Sequence, residues 1–238
     1  MITFRSDMVA DLVDITNAED HIVAAAARIS TGAIASNQST EHETQAELAG
    51  LINYLMKHRH GSPFEHAVFT FRIEVPIFIA RELHRHRIAS YNEMSGRYSK
   101  MLPEFYLPDG FRPLINEGTS ARPELVHGVL PQTTLVRGVI RENSKHSWAR
   151  YQELLSGGIA NEVARMVLPV NIYTQMYMTV NARSLMNLLS LRIRHDENQY
   201  DTRPQYEIQL MAEKMEVHFR DKMPLTHAAW EKNGRVAP

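Results

Sequence analysis

Arginines, histidines and small polar residues are concentrated in residues 81–98, which read RELHRHRIASYNEMSGRY. Guanidinium groups bind phosphate oxygens through paired hydrogen bonds, and a Ser-Gly turn offers backbone N–H groups to the same anion. Arg85 and Arg87, followed by the turn Ser95-Gly96-Arg97, therefore indicate a site for one or two phosphorylated ligands. The alternative is a solvated basic loop, because exposed runs of charge are common. The long and chemically mixed segment after the Arg-His-Arg triplet favours the binding site.

A second group of polar residues lies in residues 181–194, which read NARSLMNLLSLRIR. On a helix, one face of this segment carries polar side chains, namely Arg183, Asn187, Ser190 and Arg194. Arg192 instead falls on the stripe formed by Leu185, Leu188 and Leu189. Either its stem packs along the edge of the core and its charge reaches water, or it is a partly buried cation that faces a ligand. A cation of the second kind would lower the pKa of a ring N–H in that ligand.

Composition excludes several kinds of chemistry. The 238 residues include no cysteine, so thiolate nucleophiles, disulfides, iron–sulfur clusters and zinc–thiolate sites are excluded. The 26 Lys and Arg residues are balanced by 27 Asp and Glu residues, and the formal charge of -1 gives no argument for nucleic acid or a membrane surface as a partner. We therefore expect neither partner.

Known motifs of other enzyme classes are missing from the sequence. It contains no GxGxxG or Walker sequence, so a nucleotide cofactor would not bind through a Rossmann or P-loop turn. It contains no GxSxG, the signature of many serine hydrolases. Of the 12 histidines, those that lie close to one another or beside a carboxylate match no strong metal-ligand spacing, namely His58-x-His60, His66, His84-x-His86 and His195-Asp196. We expect no metal site.

Hydrophobic periodicity predicts more helices than strands. Helices are predicted at residues 18–28, 41–59, 133–155, 161–167, 181–192 and 204–222, the second with a capping box formed by Thr40 and Glu43. Strands are predicted at residues 67–75, ended by Pro76, and at 170–180, and residues 103–132 are predicted to form a long ordered loop. Because the strands do not alternate regularly with the helices, the pattern favours an α+β domain.

The chain shows no sign of a membrane or secretion signal. No apolar run approaches the ~20 residues that a bilayer-spanning helix needs. Residues 1–10 (MITFRSDMVA) lack the charged start and apolar centre of a signal peptide. We therefore expect a cytoplasmic protein.

Residues 85–98, RHRIASYNEMSGRY, resemble the signature of the flavin-dependent thymidylate synthases. Other stretches are also similar to that family and occur in the same order along the chain. They are residues 27–30 (ARIS), 60–66 (HGSPFEH), 162–169 (EVARMVLP), 181–185 (NARSL) and 205–208 (QYEI). The resemblance implies a single domain over residues 1–238, with a mostly antiparallel sheet packed against helices. It also implies a homotetramer with shared active sites, which bind FAD and dUMP and use methylenetetrahydrofolate as carbon donor and NADPH as reductant.

The resemblance also assigns residues to the two ligands. The residues implied to bind FAD are Ser62, Arg85, His86, Arg87, Glu93, Asn181, Ala182, Arg183 and Asn187. The residues implied to bind dUMP are Glu82, Leu83, His84, Arg85, Glu93, Met94, Ser95, Gly96, Arg97, Arg165 and Arg192. In this assignment Ser95-Gly96-Arg97 and Arg165 bind the phosphate, whereas Arg192 is catalytic and stabilises the N3-deprotonated uracil.

Because the chain has no cysteine, uracil must be activated without a thiolate. The resemblance implies that Arg192 polarises the ring electrostatically and that reduced FAD supplies the hydride that completes the methyl group. Two features depart from the family pattern. Several relatives have glutamine where this chain has Glu82, and residues 193–203 (IRHDENQYDTR) form a longer charged insertion, which we expect to affect the pocket mouth or a subunit contact.

Two other functions fit parts of the sequence. A single-stranded RNA-binding module would place Arg85, Arg87 and Arg97 on phosphates and use Tyr91 and Tyr98 as stacking platforms. Another flavin or nucleotide enzyme on the same scaffold would bind FAD but not dUMP. The absorption spectrum of the purified protein distinguishes the RNA-binding module, which would be colourless, from a flavoprotein, which would be yellow.

Overall fold

The computed structural model describes residues 1–13, 17–30 and 44–238. Within these ranges the strands are β1 (Thr3–Arg5), β2 (Val9–Leu12), β3 (Val68–Pro76), β4 (Ser90–Glu93), β5 (Glu104–Tyr106), β6 (Ile115–Asn116), β7 (Leu125–Val126) and β8 (Tyr173–Asn181). The helices are α1 (Asp20–Ile29), α2 (Gln45–Lys57), α3 (Ile77–Leu83), α4 (Leu130–Ser156), α5 (Asn161–Ala164), α6 (Ala182–Arg192), α7 (Tyr206–Lys222) and α8 (Pro224–Lys232). The prediction of an α+β fold is confirmed.

The largest sheet contains four strands in the order β2-β3-β8-β4 and is antiparallel, as predicted. The alternation along β3 arises because Phe69, Phe71, Ile73 and Val75 are fully buried while the residues between them are partly exposed. Strand β8 begins at Tyr173, three residues after the predicted start, and Val170, which was predicted to lie on its inward face, is 55% exposed. Two smaller sheets pair β1 with β5 in parallel and β6 with β7 antiparallel.

Helix α2 shows how capping sets an element boundary. The predicted capping residues Thr40 and Glu43 lie outside the described residues, and α2 begins at Gln45 with Thr44 as its N-cap. Thr44 N–H donates to Glu47 Oε2 at 2.9 Å, and Glu47 N–H donates to Thr44 Oγ1 at 3.3 Å. The capping box therefore exists, four residues after the predicted one.

The remaining predictions differ from the structure mainly at element ends. Helix α4 starts three residues earlier than predicted, at Leu130, and the predicted helix at residues 161–167 is α5 followed by the 3-10 helix Arg165–Val167. The predicted loop at residues 103–132 contains β5, β6 and β7. Helices α3 and α8 and the 3-10 helix Ser62–Glu65 were not predicted.

The described chain divides into two compact units. Unit 1 comprises Met1–Val9, Glu74–Arg85 and Asn92–Met176, and it has a core cluster of Met101, Phe105, Tyr151, Ala164 and Ile172. Unit 2 comprises Ala10–Ile73, His86–Tyr91 and Tyr177–Pro238, and its core includes the aromatic series Phe71, Phe69, Phe219 and Trp230 with successive ring centroids 5.9, 6.0 and 6.0 Å apart. That residues 1–238 form a single domain stays a prediction.

Across residues 1–13, 17–30 and 44–238, no helix combines the length and the apolar character needed to cross a membrane.

Candidate functional site

The two units divide the predicted site residues between them. Unit 1 contains all of the residues assigned to dUMP except Arg192. Unit 2 contains all of the residues assigned to FAD except Arg85 and Glu93. Each unit therefore contains most of one predicted binding set.

In unit 1 the turn Ser95-Gly96-Arg97 follows β4, and its glycine packs against Arg165. Gly96 is buried, and a Cβ at this position would lie 2.9 Å from Met101 Sδ and 3.2 Å from Arg165 Cδ. Arg165 reaches this place because it begins the 3-10 helix directly after α5. Glycine at position 96 thus allows Arg165 to lie against the turn, as expected for a shared anion site.

Arg97 lies on the same turn but is more exposed. Its backbone N–H donates to Ser95 Oγ at 3.3 Å, and its Nε donates to Glu162 Oε2 at 2.9 Å. The side chains of Arg97 and Glu162 are 54% and 50% exposed, so water screens their attraction. A phosphate dianion could therefore replace Glu162 as the partner of Arg97 at small cost.

A small cavity of about 100 Å³ lies next to this turn in unit 1. The predicted residues Glu93, Met94, Gly96 and Arg165 line it, and the other lining residues are Ile77, Met101, Leu168, Ile172 and Thr174. The cavity thus combines an apolar wall with a carboxylate and a cation, and apolar walls with a few polar groups are typical of sites for small molecules.

Glu93 is held in this cavity by a residue that the sequence analysis did not identify. The buried hydroxyl of Thr174 donates to Glu93 Oε1 at 2.6 Å, and His84 Nε2 lies 3.9 Å from Glu93 Oε2. Thr174 lies on β8, where most inward residues are apolar. A polar residue on the buried face of a strand was the signal that could have identified it.

The other residues assigned to dUMP lie around the end of α3. Glu82 and Leu83 are the last residues of that helix, His84 is its C-cap, and Arg85 follows. His84 and Arg85 are exposed, whereas Leu83 is completely buried. The side chain of Leu83 therefore belongs to the core of unit 1.

In unit 2 the guanidinium of Arg192 contacts His86. Arg192 Nε donates to His86 Nε2 at 3.1 Å, and Tyr91 donates its hydroxyl hydrogen to the His86 carbonyl at 3.0 Å. Burial, followed by the charge of Arg192, lowers the pKa of His86 to about 4. His86 is therefore neutral at physiological pH, with its proton on Nδ1, and it can accept the hydrogen bond from Arg192.

Arg192 occupies the last turn of α6, as the helical pattern predicted. Leu185, Leu188 and Leu189 are completely buried, while Arg192 is partly exposed. Its stem thus continues an apolar stripe, and its head reaches His86. Arg194 lies beyond the end of α6, so its predicted place on the polar face of that helix was wrong.

Arg183 is the centre of the predicted flavin residues in unit 2. Its Nη1 donates to Glu65 Oε1 at 2.6 Å, and its Nε donates to the Pro238 carbonyl at 2.7 Å. A Cβ on Gly61 would lie 2.5 Å from Arg183 Nε, so glycine is needed for this close approach. The sequence analysis had assigned no role to Glu65 or Pro238.

The start of α6 adds hydrogen-bonding groups near Arg183. Asn181 is the N-cap, and its side chain accepts from Ser184 N–H at 2.8 Å. Arg183 and Asn187, one turn apart, are both exposed, as are Ser62 and Arg87, whereas Ala182 is buried. Guanidinium groups and a helix N-terminus are the donors that a pyrophosphate group requires.

A separate cluster of titratable residues was not predicted. Among the described residues, one group has potential metal ligands within 4.8 Å of one another, namely Glu216, His227 and Glu231. Arg235 donates to both carboxylate oxygens of Glu216, each at 2.7 Å. The guanidinium of Arg235 thus already neutralises the carboxylate of Glu216.

The chain is similar to known proteins over its whole length. Residues 11–225 match the family described as thymidylate synthase complementing protein. A flavin-dependent thymidylate synthase from Streptomyces coelicolor is 46% identical over 238 residues, which are 100% of this chain and 96% of the relative. The protein of the same name from Tropheryma whipplei, strain TW08/27, is 46% identical over 235 residues, covering 99% of this chain and 97% of the relative.

A solved structure is similar as well. The UMP/dUMP methylase PolB from Streptomyces cacaoi, bound with 5-Br UMP, superposes with a TM-score of 0.90 at 42% sequence identity. The superposition covers 100% of this chain and 99% of that chain. A structure of the same methylase bound with 5-Br dUMP gives a TM-score of 0.91.

Proposed function

Because the chain belongs to the family of flavin-dependent thymidylate synthases, we propose that it converts dUMP to dTMP by reductive methylation without a covalent thiolate step. In the complete reaction dUMP, methylenetetrahydrofolate, NADPH and a proton give dTMP, tetrahydrofolate and NADP⁺. The methylene carbon forms a bond to C5 of uracil, and a hydride reduces it to the methyl group.

The observation that carries the substrate assignment is the cavity of unit 1, where Gly96 packs against Arg165. The phosphate of dUMP would lie on the turn Ser95-Gly96-Arg97 with Arg165, and Glu93 would accept a hydrogen bond from a sugar hydroxyl. The name of the PolB relative, a UMP/dUMP methylase bound to 5-bromo nucleotides, supports a uridine monophosphate ligand.

The residues of unit 2 fit the pyrophosphate group of FAD. Gly61 leaves room for the guanidinium of Arg183, and the exposed residues Ser62 and Asn187 and the start of α6 are further hydrogen-bonding groups of unit 2. We therefore propose that FAD is bound by the residues that the resemblance implies, namely Ser62, Arg85, His86, Arg87, Glu93, Asn181, Ala182, Arg183 and Asn187. Bound FAD supplies the hydride, which comes from NADPH.

Arg192 has the chemistry required to activate uracil. Arginine stays protonated throughout the physiological range, so a uracil ring next to it is stabilised as the N3 anion. His86 is neutral and accepts from Arg192 Nε, which orients the guanidinium without cancelling its charge. An electrostatic activator of this kind replaces the covalent thiolate, which a chain without cysteine cannot supply.

We further propose that the enzyme is a cytoplasmic homotetramer of one-domain subunits. Helix α4 supports an assembly, because its apolar residues Leu130, Leu135 and Val139 are 79%, 64% and 59% exposed. Sedimentation analysis should give four times the subunit mass of 27.3 kDa. Replacing Leu135 with aspartate should dissociate the assembly, and a monomeric wild-type protein would refute this proposal.

Two measurements test the proposed reaction. The purified protein should be yellow or should take up added FAD, whereas a colourless protein that binds RNA and ignores FAD would favour the RNA-binding module. Tritium should be released from C5-labelled dUMP when methylenetetrahydrofolate and NADPH are both present. UMP should be assayed beside dUMP because the PolB relative is named for both nucleotides. A protein that binds FAD but releases no tritium would be another flavin enzyme.

A further inference from the structure

The segment at residues 193–203 folds back on the end of the helix that carries Arg192. Asn198 Nδ2 donates to the carbonyl of Ile193 at 2.8 Å, and Thr202 Oγ1 donates to the same carbonyl at 3.2 Å. Ile193 is the C-cap of α6 and directly follows Arg192. Carbonyls at a helix end lack intrahelical partners, so these two bonds fix the backbone next to Arg192.

Asn198 is itself held by the buried side chain of Arg235. Arg235 Nε donates to Asn198 Oδ1 at 3.0 Å, so the amide of Asn198 accepts at one end and donates to Ile193 at the other. A second bond joins the same two segments, from Gln199 N–H to the Gly234 carbonyl at 3.0 Å. The amide orientation of Asn198 is therefore determined by its two partners.

Arg235 is a rigid anchor for this arrangement. It is 1% exposed, donates to both carboxylate oxygens of Glu216 at 2.7 Å, and lies over the ring of Trp230 with its Cζ 4.2 Å from the centroid. A guanidinium bound in this bidentate way has little freedom to move. Asn198 therefore links a fixed point in the core of unit 2 to the backbone beside Arg192.

We propose that Asn198, anchored by Arg235, is a positioning residue that holds the end of α6 so that the guanidinium of Arg192 keeps its place against His86. This inference rests on the proposed function for the role of Arg192 in turnover, but the geometry that it describes is independent of activity. Residues 193–203 thus support Arg192 through the hydrogen bonds of Asn198 and Thr202 to the carbonyl of Ile193.

The expected effect follows from the sensitivity of catalysis to position. A displacement of about 1 Å at a reacting group can lower a rate by about a hundredfold. Asn198→Ala removes one of the two bonds to the Ile193 carbonyl, and we expect kcat for dTMP formation to fall about tenfold. The KM for dUMP and the Kd for FAD should change less than about twofold, since the phosphate-binding residues are untouched.

The experiment compares Asn198→Ala with Asn233→Ala and Arg192→Ala in the full chain. Asn233 is the matched control because its Nδ2 also donates twice within unit 2, to Asn53 Oδ1 at 3.1 Å and to the Ala229 carbonyl at 2.7 Å, away from Ile193. The second readout is the NMR titration of His86. In Asn198→Ala the pKa of His86 should rise from about 4, because Arg192 is no longer held against it.

Each outcome decides the proposal. A drop in kcat together with a raised His86 pKa in Asn198→Ala, but not in Asn233→Ala, supports it. An unchanged His86 titration in Asn198→Ala overturns it, as do equal changes in the two asparagine variants. If Arg192→Ala keeps wild-type turnover, the proposed role of Arg192 fails, whereas the His86 titration still tests whether Asn198 positions it.

Discussion

His86 shows how the surroundings of one residue set its chemistry. Burial and the charge of Arg192 lower its pKa to about 4, below the ordinary value of 6.5. The unfolded chain therefore binds a proton at a higher pH than the folded chain does. The stability that His86 contributes is complete above pH 6.5 and is lost as the pH falls from 6.5 toward 4.

The corresponding prediction concerns the pH dependence of unfolding. We expect the urea midpoint of the wild-type protein to fall between pH 6.5 and pH 4, and to fall less steeply in His86→Asn, which carries no titrating ring. Equilibrium unfolding at several pH values in this range measures both slopes. Equal slopes in the two proteins would show that His86 titrates normally in the folded chain.

Arg97 provides a test of the anion site in unit 1. We expect Arg97→Ala to raise the KM for dUMP by about tenfold to a hundredfold, because the variant loses a hydrogen bond to the charged phosphate. Binding of FAD, measured by fluorescence quenching, should not change. Arg150→Ala is the control, because Arg150 forms a similarly exposed ion pair with Glu153 on α4. Equal losses of dUMP binding and FAD binding in Arg97→Ala would mean that the residues of the two sites are misassigned.

Gly96 tests the same site through its backbone. Gly96→Ala places a methyl group 3.2 Å from Arg165 Cδ and 2.9 Å from Met101 Sδ, so both side chains must shift. We expect a several-fold higher KM for dUMP. Gly138→Ala in α4 is the control, because a Cβ there meets nothing within 4 Å and alanine should stabilise the helix by up to about 1 kcal/mol. An unchanged KM for dUMP in Gly96→Ala would show that Arg165 does not bind the phosphate.

At the scale of elements, Asn181 serves both helix α6 and the proposed flavin site. Asn181→Ala should lower the free energy of unfolding by about 1 kcal/mol, because Ser184 N–H loses its acceptor. Asn181→Asp keeps an acceptor and should retain stability, but its charge should weaken FAD binding. Chemical denaturation and FAD titration measure the two effects. If Asn181→Asp binds FAD as tightly as the wild-type protein, Asn181 does not belong to the flavin site.

Long elements with clear periodicity were predictable from the sequence, and short ones were not. The alternation of apolar residues predicted the strand β3. The apolar stripe of residues 185–189 predicted the helix α6, with Arg192 at its end. In contrast, Pro76 was interpreted as the end of a strand, whereas it is also the N-cap of α3. The predicted helix at residues 204–222 corresponds to α7, and Pro224, just beyond its end, is the first residue of α8. Proline ends one element and begins the next equally well, so local sequence does not separate the two roles.

The candidate site was predictable where one segment carries several of its residues. The turn at Gly96 and the helix that carries Arg183 and Arg192 each lie within a short stretch of sequence. Contacts between distant segments were not predictable, such as those of Thr174 with Glu93 and of Pro238 with Arg183. They depend on how strands and helices pack, which periodicity does not determine.

At the scale of the whole molecule, residues 235–238 connect several segments of unit 2. Arg235 contacts Glu216, Asn198 and Trp230, and the carbonyls of Ala237 and Pro238 accept from Arg59 and Arg183. The contacts with Asn198, Arg59 and Arg183 join segments that are 37, 178 and 55 positions apart, and contacts between distant segments form slowly during folding.

Refolding kinetics test this view. Trp148→Phe leaves Trp230 as the remaining one of two tryptophans. Trp230 is completely buried beside Arg235, so its emission should report docking of residues 234–238. We expect this change and the recovery of FAD binding to occur in the same slow phase. Recovery of FAD binding in an earlier phase would show that the last residues do not complete the flavin site.

The contact between Arg59 and Ala237 also bears on how the protein is made in the cell. The two residues are 178 positions apart, and a ribosome adds about 5–20 residues per second. Roughly 10–40 seconds therefore separate the synthesis of these partners. During that time Arg59 and Gly61 are present on the growing polypeptide without the backbone that later covers them. We therefore expect the cofactor to be loaded only after residues 234–238 have been synthesised.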